Sequence, residues 1–338
     1  MSTNDNESQI YDIIVRIFYT AITTMGLLGN ALFVAVFWRR ERGRRRPDTE
    51  ASLLQLAIAN VLLLATHPFF PISRSSKWTL STWACPLLIF LNQSTFSACV
   101  LLLAAVAIHQ CLAVSLQRDP TGRPPSPRLV PRALQFLLLW VLAVACSLPE
   151  LFLYSVQVIE GKEQCSLHKP VSPQGSALDG NASTELGNVS TMDGNVSGLD
   201  SSLHLLGYVT FFLQLVLTFL APAAAITICY VSLLRTVCAT SLNHKKKVYH
   251  GVVALLTAFY AFQLPRLIWA LLSFQPEIES ESVWIYMTSI LFCCANPLIY
   301  AVFWRKFRAG ARKLLCGCSC LGNPQTGQSE KESTESCS

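Results

Sequence analysis

The chain has 338 residues, of which 52% are hydrophobic and only 14% carry a charge. This composition is typical of an integral membrane protein and excludes an ordinary soluble domain. The net charge of +6 indicates no nucleic-acid partner, because the basic residues follow a membrane topology instead.

Seven apolar stretches are long enough to cross a bilayer as helices, which takes about 20 residues each. They lie near residues 10–38, 50–73, 83–116, 132–155, 203–236, 247–273 and 282–303. The predicted fold class is an all-α membrane protein, a seven-transmembrane helix bundle over residues 10–304. A tail over residues 1–9 precedes the bundle, and a short amphipathic eighth helix (305–316) and a second tail (317–338) follow it.

The basic residues predict the orientation of the bundle. Most of the 26 Lys and Arg lie between spans one and two, three and four, and five and six, or after span seven. By the positive-inside rule these segments are cytoplasmic and the N-terminus is extracellular, as in a multi-pass protein of the plasma membrane. Four glycosylation sequons agree, since they fall on the predicted outside, three of them in a long loop over about 156–202: Asn6, Asn181, Asn188 and Asn195.

Two of the 13 cysteines are placed on the oxidising side of the membrane, Cys85 at the start of span three and Cys165 in the loop before span five. They are expected to form a disulfide. Cys316, Cys318 and Cys320 follow the basic amphipathic segment, a setting that favours palmitoylation. We expect no metal site there, because no further ligands stand at a suitable spacing.

A series of motifs appears in order along the spans: Gly29-Asn30, Leu53 to Ala59 followed by Asn60, Trp140, Pro222 with Tyr230, Phe259 with Pro265, and Asn296-Pro297-Leu-Ile-Tyr300. The set resembles the rhodopsin-like (class A) G-protein-coupled receptors across nearly the whole chain. The resemblance implies a signal transducer whose partners are a heterotrimeric G protein, arrestin and membrane lipids. It implies no cofactor.

Within that family the chain is most similar to the chemokine and chemoattractant receptors. The similar features are Thr66-His-Pro68 in span two, Trp78 ahead of Cys85, Ser147-Leu-Pro149-Glu150 closing span four, and Cys293-Cys294 before Asn296. This branch implies coupling to inhibitory-class G proteins. It also implies a peptide or chemokine ligand.

The family's activation switches are matched by nine positions, several of them altered: His109, Gln110, Cys111, Tyr230, Phe259, Gln263, Asn296, Pro297 and Tyr300. His109-Gln110-Cys111 replaces the family's Asp-Arg-Tyr, so the central cation that holds the resting helices together is gone. Gln263 replaces a tryptophan. The family's sodium site is degenerate, because its acid and polar ligands correspond here to Asn60, Cys99 and Phe292.

Two interpretations of these departures stay open. In the first, the receptor signals at an elevated level without ligand, because its inactive-state locks are missing. In the second, it is an atypical or decoy receptor that internalises ligand without G-protein signalling.

A ligand pocket is expected between the outer halves of the spans, with Trp78, Asn92, Phe96, Arg266 and Tyr286 as its residues. Asn92 stands where the family's amine receptors have an aspartate, which argues against an amine ligand. Arg266 is a charge inside an apolar span, so we expect it either to bind a ligand carboxylate or to pair internally with Glu150. The ligand classes considered are a peptide or chemokine, a small acidic or lipid molecule, or none.

Other classes of protein fit less well. No Ser-His-Asp, paired-carboxylate or metal-ligand set converges in the spans, so the chain is not expected to be an enzyme. A membrane transporter is a remote alternative, since no internal repeat is visible.

Overall fold

The computed structural model describes residues 3–39, 47–68, 78, 80–116, 131–159, 162–167, 193–239, 245–272, 283–303 and 305–315. Most of these residues are helical. The long helices are α1 (Thr3–Arg39), α2 (Asp48–Thr66), α3 (Ala84–Leu116), α4 (Arg132–Ser147), α5, α6 (Lys245–Leu272), α7 (Val283–Phe303) and α8 (Arg305–Leu315). Helix α5 consists of Asp193–Leu215, a π-helical turn over Val216–Leu220, and Ala221–Ala239.

Helices α1, α2, α3, α5 and α6 each contain a segment that is long and apolar enough to cross a membrane, and α4 together with the helical turn that follows it, up to Leu153, forms another. Helices α7 and α8 supply a seventh candidate, with an angle of 95° between them. Because a bilayer offers the backbone no hydrogen-bond partners, helices of this length bond their own N–H and C=O groups. The predicted fold class, a seven-helix membrane bundle with a short eighth helix, is confirmed.

Several helices begin or end away from the apolar stretches that predict them. Helix α1 begins at Thr3, ahead of residue 10, and α5 begins at Asp193, within the stretch that the sequence assigns to a loop. Helix α4 ends at Ser147, and a helical turn over Glu150–Leu153 follows Pro149. The apolar length specifies the part of a helix that can lie in lipid, whereas capping and tertiary contacts decide where the helix ends.

A β-hairpin follows α4, and the sequence did not predict it. Strands β1 (Tyr154–Ile159) and β2 (Lys162–Leu167) pair antiparallel, with Val156 opposite Cys165. The Trp78 backbone N–H donates to the Glu163 carbonyl at 2.9 Å. We call the end of the bundle that carries this hairpin the disulfide end, and the opposite end the α8 end.

Proline shapes three of the membrane helices. The π turn of α5 lies directly ahead of Pro222, while Pro265 and Pro297 lie inside α6 and α7. Proline has no N–H, so each one removes a helical hydrogen bond and makes a local change of direction easier. In a membrane, neighbouring helices can compensate for the lost bond.

Helices α1, α2 and α7 pack closely where α1 carries glycine. A Cβ added at Gly26 would lie 2.5 Å from Cys294 Sγ and 2.9 Å from Leu64 Cδ1. One added at Gly29 would lie 3.1 Å from Pro297 Cγ. Close approach of backbones through small residues is how membrane helices gain packing energy, since lipid supplies no hydrophobic drive between them.

Helix α8 packs against the last turns of α1. The Phe307 ring is buried and stacks on Phe33, with centroids 5.2 Å apart. The Arg308 guanidinium donates to the Ala301 carbonyl at 3.2 Å, which satisfies one of the last carbonyls of α7. Gly310 leaves no room for a Cβ beside Val36. The apolar contacts and the exposed Arg312 and Lys313 give α8 the amphipathic character that the sequence predicts.

We expect Gly26→Ala to destabilise the bundle by about 1–3 kcal/mol, because the new methyl group would overpack the buried contact with Cys294 and Leu64. The measurement is the thermal unfolding midpoint of the purified receptor. Gly207→Ala is the matched control, since its Cβ would meet nothing nearer than Leu153 Cδ2 at 4.0 Å. Equal midpoints for the two variants would show that the α1–α2–α7 contact is looser than described.

Candidate ligand site and switch layers

A disulfide between Cys85 and Cys165 joins the start of α3 to β2, with the two Cα atoms 5.5 Å apart. This confirms the predicted bond. The covalent link holds the hairpin at this end of α3. Trp78 lies beside the same hairpin, where it is buried and donates its indole N–H to the Ser81 carbonyl at 3.2 Å.

Arg266 and Phe96, two residues of the predicted ligand pocket, contact each other. The Arg266 Cζ lies 3.6 Å from the centroid of the Phe96 ring, a cation–π contact between α6 and α3. Phe96 is only 1% exposed, so the guanidinium is directed into the bundle rather than toward lipid. Both residues therefore lie together, as the sequence predicts.

A relay of three hydrogen bonds leads from Arg266 to Glu150. Arg266 Nη2 donates to Gln93 Oε1 at 3.0 Å, and Gln93 Nε2 donates to Gln214 Oε1 at 2.6 Å. Gln214 Nε2 then donates to Glu150 Oε1 at 2.9 Å. The four residues come from α6, α3, α5 and the helical turn after α4. Two glutamines thus connect the charges for which the sequence considered a direct pair.

The two remaining predicted pocket residues are Asn92 on α3, which faces α2, and Tyr286 on α7. Asn92 Nδ2 donates to Thr66 Oγ1 at 3.1 Å, which ties α3 to α2. The Tyr19 hydroxyl donates to the His67 carbonyl at 2.7 Å and lies 3.0 Å from His67 Nδ1. Tyr286 stands on α7, but its side chain is outside the described residues.

Amides, a thiol and a phenyl ring occupy the positions of the degenerate sodium site. Asn60 Nδ2 donates to Asn30 Oδ1 at 3.1 Å, and Asn30 Nδ2 donates to the Cys293 carbonyl at 3.2 Å. The Asn60 Oδ1 atom has no hydrogen-bond partner among the described residues. Cys99 and Phe292 are both buried. The layer is neutral at the positions described.

At the α8 end, the residues in place of the Asp-Arg-Tyr motif bond to several helices. His109 Nδ1 lies 2.7 Å from Ser52 Oγ on α2, and His109 Nε2 lies 3.3 Å from Gln135 Nε2 on α4. The Cys111 thiol shares a hydrogen bond with the Cys229 thiol on α5. Gln110 is half-buried, and its side chain makes no hydrogen bond with any described residue.

An ion pair between Arg132 and Asp48 joins α4 to α2 near His109. Trp140 Nε1 and Gln55 Oε1 lie 3.4 Å apart one to two turns further along the same two helices. These contacts, with those of His109, make α2, α3 and α4 one connected group at the α8 end.

The other predicted switch residues are buried between α3, α5, α6 and α7. Phe259 is fully buried and packs edge-on against Tyr260, whose hydroxyl lies 2.6 Å from Thr227 Oγ1 on α5. Four of these residues carry a buried polar group. Three of these are Gln263 Nε2, Asn296 Nδ2 and the Tyr230 hydroxyl, which have no hydrogen-bond partner in the part of the chain that is described. The fourth is the buried phenol of Tyr300 on α7.

The predicted modification sites stay predictions. Asn181, Asn188, Cys316, Cys318 and Cys320 lie outside the described residues, and only the helical backbone is described at Asn6 and Asn195.

Sequence reasoning missed Gln93, Gln214, Ser52 and Gln135, which link the named residues together. The signal was available in part, since an amide inside an apolar span is costly unless it is bonded within the protein. The partners of these residues could not be predicted from the sequence, because Gln93 and Gln214 stand 121 positions apart along the chain.

Residues 29–182 match the family described as 7 transmembrane receptor (rhodopsin family). The chain is 28% identical to C-C chemokine receptor type 10 from Homo sapiens over 318 residues, which cover 90% of this chain and 79% of that receptor. It is 28% identical to the human C-C chemokine receptor type 7 over 326 residues, covering 92% and 77% of the two chains. The human C-C chemokine receptor type 9 is 24% identical over 324 residues, with 91% and 78% covered.

The contact between Ser52 and His109 predicts a coupled effect on stability. We expect Ser52→Ala to lower the free energy of unfolding by about 1 kcal/mol, because a buried hydrogen bond is lost. In a His109→Phe background the same change should cost much less, giving a non-additive double-mutant cycle. Thermal unfolding of the four purified proteins measures this coupling. Additive losses would mean that the two side chains do not depend on each other.

Proposed function

Because this chain belongs to the rhodopsin-like family of seven-transmembrane receptors, on its chemokine-receptor branch, we propose that it signals without ligand at an elevated level, through inhibitory-type G proteins. It is a receptor and not an enzyme. It is a multi-pass membrane protein. In the proposed arrangement the disulfide end faces the extracellular medium, since a disulfide persists on the oxidising side, and the α8 end faces the cytoplasm.

The observation that carries the proposal is that the Gln110 side chain is neutral and has no hydrogen-bond partner among the described residues. An arginine at this position could hold a neighbouring helix by a charge-assisted bond, which is about twice as strong as a neutral one. Gln110 is neutral and bonds to none of the described residues. Its neighbour His109 directs its bonds toward α2 and α4. Gln110 therefore places no ionic restraint on the helices around α3.

Buried polar groups without a hydrogen-bond partner also support elevated ligand-independent activity. Asn60 Oδ1, Gln263 Nε2 and Asn296 Nδ2 lack hydrogen-bond partners among the described residues. Each such group costs about 1–3 kcal/mol compared with a conformation in which it is bonded. If the active state pairs even one of them, the free-energy difference between the resting and active states falls, and this difference is about a few kcal/mol in a typical two-state protein.

Tyr230 and Tyr300 support a chain that can still adopt the active arrangement. In the family these two tyrosines meet in the active state. Here both tyrosines are buried, Tyr230 on α5 and Tyr300 on α7. A water molecule or a small rotation would satisfy the Tyr230 hydroxyl in the active arrangement.

A decoy receptor is the second candidate, and Gln110 itself favours it. In the family the arginine at this position contacts the G protein, and a glutamine lacks its charge. On this alternative the chain would bind and internalise its ligand through arrestin without activating a G protein.

The proposed partners are an inhibitory-class heterotrimeric G protein, arrestin, membrane lipids and an extracellular ligand. The relatives are named as chemokine receptors, so a chemokine is one candidate ligand; a small acidic or lipid molecule is another. The proposed ligand pocket comprises the residues at the disulfide end, with Arg266 and Phe96 at its centre. The sugars and palmitoyl groups are proposed at the sites that the sequence predicts.

The main test compares ligand-free G-protein activation in cells at matched surface expression. We expect the native chain to be active above background and Asn60→Asp to lower that activity several-fold, because a carboxylate would restore a cation site that favours the resting state. Asn60→Leu is the matched control, since it removes the amide without supplying a charge. Background activity in the native chain, together with coupling gained by Gln110→Arg, would support the decoy alternative.

The class of G protein is tested separately with purified receptor in lipid nanodiscs. We expect the ligand-free receptor to accelerate nucleotide exchange on an inhibitory-class heterotrimer and to leave a stimulatory-class heterotrimer unchanged. Equal acceleration of both would remove the class assignment while leaving ligand-independent activity intact.

A further inference from the structure

In the relay from Arg266 to Glu150, every hydrogen bond is donated in the same direction, from the arginine toward the carboxylate. A guanidinium can only donate hydrogen bonds, and an ionised carboxylate can only accept them. Both glutamines must therefore turn their oxygen toward Arg266 and their nitrogen toward Glu150, as observed. The two end charges determine the amide orientations, which a lone glutamine pair would leave ambiguous.

The two charges of the relay lie at its opposite ends, Arg266 at one and Glu150 at the other. Two neutral glutamines separate them, so the relay bonds Arg266 to an amide oxygen rather than to the carboxylate.

Gln93 is a weak acceptor for such a cation. Its amide oxygen is neutral and takes one N–H of the guanidinium. A carboxylate matches the planar fork of arginine with two parallel, charge-assisted bonds, each about twice as strong as a neutral one. The Phe96 ring covers a face of the guanidinium at 3.6 Å, which leaves the N–H edge for an acceptor in the plane.

We propose that Arg266 anchors an acidic group, a carboxylate, on the ligand of this receptor, and that the carboxylate displaces the Gln93 amide oxygen. This inference rests on the proposed receptor function, because it assigns the ligand class of the same pocket. Release of Gln93 changes its bond to Gln214, and through Gln214 the bond to Glu150. Binding at one end of the relay thereby reaches α3, α5 and the end of α4.

The first experiment measures the thermal unfolding midpoint of the full-length receptor in lipid nanodiscs with two matched pairs of probes. The pairs are decanoate with methyl decanoate, below the micelle concentration, and 3-phenylpropionate with 3-phenylpropionamide. We expect at least one carboxylate to raise the midpoint by at least about 2 °C and its neutral partner to leave it unchanged. Equal shifts within both pairs, or no shift with either carboxylate, would overturn the proposal.

Variants separate an anchor from a merely structural residue. Arg266→Gln should abolish the carboxylate-dependent shift. Arg266→Lys keeps the positive charge and should retain a smaller shift, so it tests the anchor even if Arg266→Gln does not fold. Gln93→Leu should strengthen carboxylate binding several-fold, because the competing oxygen is gone. Gln135→Leu, which removes an amide at the opposite end, is the control and should leave the carboxylate-dependent shift unchanged. Loss of binding in Gln93→Leu, or retention in Arg266→Gln, would contradict the anchor.

Ligand-free G-protein activation of the same preparations distinguishes the two proposals. A receptor that prefers carboxylates but has no basal activity contradicts only the proposed signalling. A receptor with basal activity but no carboxylate preference contradicts only the anchor.

Discussion

The bilayer imposes one requirement on which the rest of this structure depends: every backbone polar group at membrane depth must be bonded within the protein, and a polar side chain there is costly unless it is bonded too. Backbone groups meet it by forming long helices. Side chains meet it by forming bonds between helices, so a polar residue in a span becomes a tie between elements. Arg266 is the clearest case, because a permanent charge in lipid is tolerable only with partners such as Phe96 and Gln93.

The ties are unevenly distributed over the bundle. At the disulfide end, a covalent bond and the relay to Glu150 join α3, α5, α6 and the hairpin. At the α8 end, His109 and the pair of Arg132 and Asp48 join α2, α3 and α4, while Gln110 contributes no bond to a described residue. The described ties therefore join α6 to α3 and α5 at the disulfide end, whereas those at the α8 end join α2, α3 and α4.

The helices and their order could be predicted because the physical signal is local. Apolar length predicts a span, and a count of cysteines on the oxidising side predicts one disulfide, Cys85 to Cys165. The amphipathic character of α8 is visible in the alternation of Phe307 with its basic neighbours. Helix ends were predicted less well, as Thr3 and Asp193 show, because they depend on contacts outside the membrane.

By itself, the sequence determined the membrane class, the seven spans, the disulfide, and the substitutions that remove the family's ionic groups, such as Gln110 and Asn60. These follow from residue type and order alone. Only the tertiary structure decided which polar side chains meet: that Arg266 reaches Glu150 through Gln93 and Gln214, and that His109 bonds to Ser52. Such pairings depend on the rotation of each helix about its axis, which packing against several neighbours sets and no single span encodes.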